Sequence, residues 1–161
     1  MAPGFAGARA GISLRARALQ HLARREYSRH QLAQKLSPHV DNSDVLQALL
    51  DDFQRKGWLS DARAAESLVN RLAQKQGGRR IRQALQQMGV AADLQESALS
   101  GLAQSERERA MAVWAKKYGH PPQTPQEKAR QMRFLLARGF PSDVVQRIVP
   151  AVERADLNEP D

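Results

Sequence analysis

Cysteine is absent from the 161 residues. That excludes a disulfide framework, a thiol nucleophile and a thiolate-ligated zinc or iron–sulfur centre. It also fits a reducing compartment, so the expected location is the cytoplasm. Strand-forming residues are scarce: nine Val, three Ile, a single Thr, and 5% aromatics. A sheet-based fold is excluded on that ground. No apolar run approaches the roughly twenty residues of a helical membrane span, so no membrane partner is expected. The first eleven residues, MAPGFAGARAG, lack the continuous apolar core of a secretory signal and read as part of a flexible leader over 1–12.

What is present is helix-forming and basic. Ala, Leu, Gln, Lys, Arg and Glu make up 92 of the 161 residues. Lys and Arg number 25 against 17 Asp and Glu, a net charge of +8. Such an excess points to an acidic partner, either nucleic acid or a negatively charged protein surface.

The chain repeats itself. Ser43-Asp44-Val45-Leu46-Gln47-Ala48-Leu49-Leu50 reads almost as Ser142-Asp143-Val144-Val145-Gln146-Arg147-Ile148-Val149, with a weaker copy at Ala92–Leu99. The aspartates at 44, 93 and 143 and the leucines at 36, 85 and 135 share one spacing of 49 and then 50. Two independent markers with one period indicate tandem units. The expected architecture is all-α, an elongated array of three three-helix repeats over 13–59, 60–104 and 105–154, with a disordered acidic tail at 155–161. Apolar periodicity predicts helices over 13–26, 29–37, 43–56, 61–75, 78–88, 92–102, 106–118, 125–138 and 142–153. Val45, Leu49 and Phe53, with Leu46 and Leu50, mark the apolar side of the third.

Punctuation agrees. Thr124-Pro125-Gln126-Glu127 and Ser105-Glu106-Arg107-Glu108 have capping-box form. Gly57, Gly89 and Gly139 each precede an apolar residue (Trp58, Val90, Phe140) and follow, by four positions, Phe53, Leu85 or Leu135. This is the pattern of a left-handed glycine that ends a helix and lets two apolar groups touch. Trp58, Trp114, Tyr27 and Tyr118 fall at core-like positions or directly after a helix stop, so packing is preferred over base stacking.

Charge follows the same period. Segments 1–40, 41–62, 63–90, 91–106, 107–139 and 140–161 carry +6, −3, +5, −3, +6 and −3. The first two helices of each repeat are basic and the third is acidic. Stacked repeats would align these into a cationic stripe. Its candidate members are Arg24, Arg25, Arg29 and Lys35 in the first repeat, Arg79, Arg80 and Arg82 in the second, and Lys116, Lys117, Lys128, Arg130 and Arg133 in the third. The bland alternative is a set of solvated helix faces.

Chemistry-bearing motifs are missing. There is neither a phosphate-binding GxxxxGK[ST] loop nor a dinucleotide GxGxxG. His21, His30, His39 and His120 lack metal-ligand spacing, and Asp51-Asp52 and Glu106/Glu108 are too close in sequence to share a helix face. No catalytic residue, metal or cofactor is expected. The chain reads as a binding protein.

Four elements resemble the RecX family of recombinase regulators. Glu26-Tyr27-Ser28-Arg29-His30-Gln31-Leu32 is similar to its Tyr-Ser-x-x-Glu-Leu element, and Gly57-Trp58-Leu59-Ser60-Asp61 to its Gly-aromatic-Leu-x-Asp element. The stretch Gly77–Val90 matches Gly-x-x-Arg-Ile-x-x-x-Leu-x-x-x-Gly-Ile. Arg133–Phe140 matches the closing Arg-Phe-Leu-x-x-Arg-Gly-Phe. The four occur in order across about 13–150. Gln31 replaces an acidic residue, Ala84 a common Glu, Gly78 a frequent Pro or Lys, and Ala64 or Ala65 an aromatic. The resemblance implies arrays of three-helix repeats that lodge in the groove of the RecA nucleoprotein filament. It also implies inhibition of ATP hydrolysis, filament extension and strand exchange in DNA repair, with no catalytic residues.

The expected partner is therefore the RecA filament, with weak contact to single- or double-stranded DNA. A monomer is expected, since no long heptad seam is present. A basic helix-turn-helix-like protein acting on DNA directly is the competing reading, because a three-helix unit with a basic second helix has that form.

Overall fold

Side chains that bond more readily to local backbone than to a helix interior decide where the helices begin. In the computed structural model, which describes residues 11–152, Ser13 Oγ accepts from Ala16 N–H at 3.1 Å and opens α1 (Leu14–Arg24). Ser28 and Gln31 form a reciprocal capping box at the head of α2 (Arg29–Leu36), each accepting the other's N–H at 3.1 Å. Gln31 thus closes the box without a carboxylate. A short 3-10 turn over Ser37–His39 leads to Asn42, which caps α3 (Ser43–Arg55). Thr124 Oγ1 accepts from Glu127 N–H at 3.1 Å and opens α8 (Pro125–Ala137), and Glu127 reaches back to Gln123 N–H at 2.7 Å. The remaining helices are α4 (Asp61–Ala73), α5 (Gly78–Gln87), α6 (Ala92–Leu99), α7 (Leu102–Lys117) and α9 (Ser142–Ile148). Helices and turns are the only regular structure among the described residues. None of the helices is long and apolar enough to cross a membrane. The expected leader (all but its last two residues) and the expected acidic tail lie outside the described residues.

Two predicted details change. α7 starts at Leu102, not 106, because α6 stops at Leu99 and Gly101 turns left-handed at φ 85°. Ser105 is then inside the helix and caps nothing. Its hydroxyl donates to Leu102 O at 3.2 Å and accepts from Arg109 Nε at 3.1 Å. α9 ends at Ile148.

The chain divides into two compact units at Ser60/Asp61. In the first, Ala18, Tyr27, Leu32, Leu36, Leu46, Leu50, Phe53 and Leu59 form one buried cluster. On α3 Leu46, Leu50 and Phe53 are buried and Leu49 packs against the cluster, while Val45, counted on the same side, is 52% exposed. Each fully buried side chain of this kind contributes about 1.5–3 kcal/mol. Gly57, at φ 73°, ends α3 in the expected way: Trp58 N–H donates to Phe53 O at 2.9 Å and the two rings meet edge-on at 5.4 Å.

The second unit holds two clusters. One joins Ala64, Ala65, Val69, Ile81, Leu85, Met88 and Val90 from α4–α6. The other joins Ala110, Trp114, Leu135, Phe140, Val145, Ile148 and Val149 from α7–α9. A main-chain clasp ties them together. The N-terminus of α5 has no side-chain cap. Its donors go instead to the third repeat: Gly77 N–H to Arg138 O at 2.8 Å, Gly78 N–H to Glu106 Oε1 at 2.7 Å, and Arg79 N–H to Gly139 O at 3.2 Å. The backbones touch so closely that a Cβ on Gly77 would lie 2.4 Å from the Gly139 carbonyl and the Phe140 nitrogen. The best-matched element of the sequence and the closing element are thus the two halves of one contact.

Candidate functional site

The cationic residues divide by what holds them. In the first unit, Arg29 starts α2 half-buried and points at α3. Its guanidinium donates to Asp51 at 2.6 Å, Gln54 at 2.6 Å and Gln47 Oε1 at 2.7 Å. It braces two helices. Arg15 similarly reaches Asp52 at 3.0 Å, and Asp52 also takes Lys56 at 2.9 Å. Hydrogen bonds from Lys56, then Arg15, hold the Asp52 carboxyl below the ordinary carboxylate range.

Arg24, Arg25 and Lys35 are exposed. Arg25 lies over the Tyr27 ring at 4.0 Å. Arg24 and Lys35 converge near His21. The ring's pKa is lowered first by desolvation, then by the positive fields of Lys35, Arg24, Arg17 and His39. The positive fields of α1 and α2 thus meet at His21.

In the second unit, Arg79, Arg80 and Arg82 are exposed on α5. Arg82 pairs with Glu96 of α6 at 2.5 Å. The Arg80 stem lies against Gly139: a Cβ there would meet Arg80 Cγ at 2.6 Å. Lys116, Lys117, Arg130 and Arg133 are exposed and Lys128 is half-buried. Lys116 and Lys117 share a concavity. It is a cleft of about 450 Å³ lined by Gln74, Lys75, Ala112, Val113, Lys116, Lys117, Phe134 and Arg138.

Four residues that matter here were not among the candidates the sequence offered, although Arg138 lies in the closing element and Glu106 in a capping pattern. Lys75 and Arg138 complete the cleft. Arg109 is a half-buried clamp, donating to Gln76 O at 2.7 Å, Ala73 O at 3.3 Å and Leu102 O at 3.3 Å. Burial pushes its pKa down, against the opposing field of Glu106. Glu106, 9% exposed, occupies the positive end of α5, where a bound anion would otherwise sit. Only side-chain direction could have separated these from ordinary surface charges.

The aromatics mostly pack. Tyr27 and Trp114 are buried, and Trp114 Nε1 donates to Gln131 at 2.8 Å. Trp58 departs from expectation at 44% exposed, with Arg15 at 5.5 Å and Lys56 at 5.1 Å over its ring. Among the described residues no group of three or more His, Asp or Glu side chains could hold a metal ion.

This fold and these surfaces define a class: a helical repeat protein of three-helix domains with cationic faces. Family models described as the second and third three-helix domains of RecX match residues 60–99 and 104–149. The regulatory protein RecX of Leptothrix cholodnii is 46% identical over 145 residues, covering 90% of this chain and 92% of that one. Its counterpart from Chromobacterium violaceum is 43% identical over 149 residues, covering 92% and 97%. A crystal structure of RecX from Lactobacillus salivarius superposes with a TM-score of 0.68 at 20% identity, over 84% of this chain and 91% of that one. A second RecX crystal structure gives a TM-score of 0.71 at 21% identity, over 84% and 70%. The chain belongs to the RecX family of regulatory proteins.

Proposed function

We propose that this chain binds the RecA nucleoprotein filament and restrains its ATPase, extension and strand exchange, acting in the cytoplasm as a monomer without cofactor or catalytic residue. The observation that carries this reading is the 46% identity to a RecX regulatory protein across nine-tenths of the chain. The exposed cations of α5 and α7 support it, since a groove lined by acidic protein and DNA phosphates favours such side chains. The mechanism is a wedge: a chain of three-helix domains touching neighbouring filament subunits slows the opening and closing on which hydrolysis and growth depend.

The test is titration of the chain into RecA on single-stranded DNA, following ATP hydrolysis, with binding to naked DNA measured alongside. Hydrolysis should fall. Changing Arg79, Arg80 and Arg82 together to Ala should weaken inhibition at unchanged helicity. Tight naked-DNA binding that falls steeply with salt, with no effect on hydrolysis, would instead favour direct action on DNA.

A further inference from the structure

We infer that the cleft between α4, α7 and α8 is a docking site for an acidic peptide segment anchored by one apolar side chain. The inference rests on the reading of this chain as a protein-binding regulator, and it names the chemistry its partner presents.

Lys75, Lys116, Lys117 and Arg138 surround the cleft. Among the described residues none of the four makes an ion pair. Arg15, Arg29 and Arg82, by contrast, each face a carboxylate. Four like charges around one concavity repel, and an anionic occupant relieves that repulsion. Lys116 and Lys117 also suit the negative end of α7, but that accounts for neither Lys75 nor Arg138.

The site is built, not incidental. The turn bearing Lys75 is fixed by Lys75 and Gln76 N–H bonds to Leu72 O at 3.0 and 2.9 Å, and by Arg109 on the carbonyls of Ala73 and Gln76. Arg138 is held through its own carbonyl, which accepts from Gly77 N–H at 2.8 Å. The backbone of both flanks is therefore fixed before a ligand arrives, and the ordering left to impose is that of the side chains.

The lining selects the occupant. Ala112 and Val113 offer methyl groups without donors or acceptors, which a phosphodiester backbone would not use. Phe134 could serve a nucleobase only through a free ring face. That ring already meets Tyr118 edge-on at 5.6 Å, Arg138 at 5.1 Å and Lys117 at 5.8 Å. A leucine-like side chain on the floor, with carboxylates before and after it, satisfies floor and rim together. A volume of about 450 Å³ accommodates one such side chain with its flanking backbone.

The experiment measures fluorescence anisotropy of a labelled peptide in which aspartates and glutamates flank one leucine. Comparisons are the same peptide with serine for leucine, and an oligothymidylate of equal charge. The acidic leucine peptide should bind best, with the serine form about tenfold weaker. Ala112 is exposed on α7, so Ala112→Glu places a carboxylate in the cleft without disturbing the core. It should weaken binding about tenfold, as should Lys116→Glu. Arg147→Glu, on exposed α9 surface outside the cleft, should change nothing. Circular dichroism confirms folding of each variant. Tighter binding of the oligonucleotide, or indifference to Ala112→Glu and Lys116→Glu, overturns the proposal. RecA ATPase is read on the same samples. Inhibition without peptide binding sinks the cleft alone. Peptide binding without inhibition sinks the recombinase reading alone.

Discussion

The α1–α3 unit and the α4–α9 unit add different polar contacts to their apolar clusters. In the first, helices are braced by side-chain ion pairs at the surface: Arg15 to Asp52 and Arg29 to Asp51. In the second, two three-helix domains meet through main-chain bonds between Gly77–Arg79 and Arg138–Gly139, with one buried carboxylate added. Surface pairs contribute about 0–1 kcal/mol each and are screened by salt. Buried backbone contacts tolerate almost no change in shape. One sequence thus contains a junction that adjusts and a junction that does not, and the rigid one borders the unpaired cations.

That contrast can be broken most sharply at Gly77. Its Cβ in Gly77→Ala would collide with backbone 2.4 Å away, so a loss of about 3 kcal/mol or more is expected in urea unfolding. A loss under about 1 kcal/mol would show the clasp to be pliable. Next is Glu106→Ala, which strands the Gly78 N–H: about 1–3 kcal/mol should be lost, with Glu106→Gln recovering part of it. Gly89→Val forces a branched side chain into φ 70° and should lower stability by about 1–2 kcal/mol. In the first unit, Asp51→Asn should cost only about 0.5–1 kcal/mol, an effect that fades in high salt.

Smallest is the effect of pH. Asp52 has a depressed carboxyl pKa, so its contribution is present above the ordinary carboxylate range and is lost as pH falls through the folded value. His21 also titrates low, but as a base. Below about pH 6.5 the unfolded chain takes a proton that the folded chain resists, and stability declines. NMR titration of His21 should give a value below 6.5 that moves upward with added salt. A value at or above 6.5 would remove the cationic focus around it.

Much of the fold was legible because helix ends are written locally. Thr124 and the glycines at 57, 89 and 139 act through atoms a few residues away. The family was legible because its four elements are such local marks. Ser105 misled for an instructive reason: the capping pattern was real, but Gly101, four residues earlier, had already turned the chain. The site was less legible. Arg29 and Lys116 look alike in sequence, and only their surroundings make one a brace and the other a cleft wall. Charge alternation along the chain suggested a stripe, yet Arg29 and Arg82 spend their charge on Asp51 and Glu96 of the same units.

The Gly77–Arg138 bond also sets an order of events during synthesis. Two of the three donors at the head of α5, on Gly77 and Arg79, find their partners only after residues 138 and 139 have been made. At roughly 5–20 residues per second, the ribosome leaves that helix start open for several seconds. Over that interval α4–α6 exists with an unfinished edge. Closure comes late and links residues far apart in the chain, which raises contact order above that of an isolated three-helix bundle. The second domain matures on the third domain's schedule, so a stall or truncation between them leaves both incomplete.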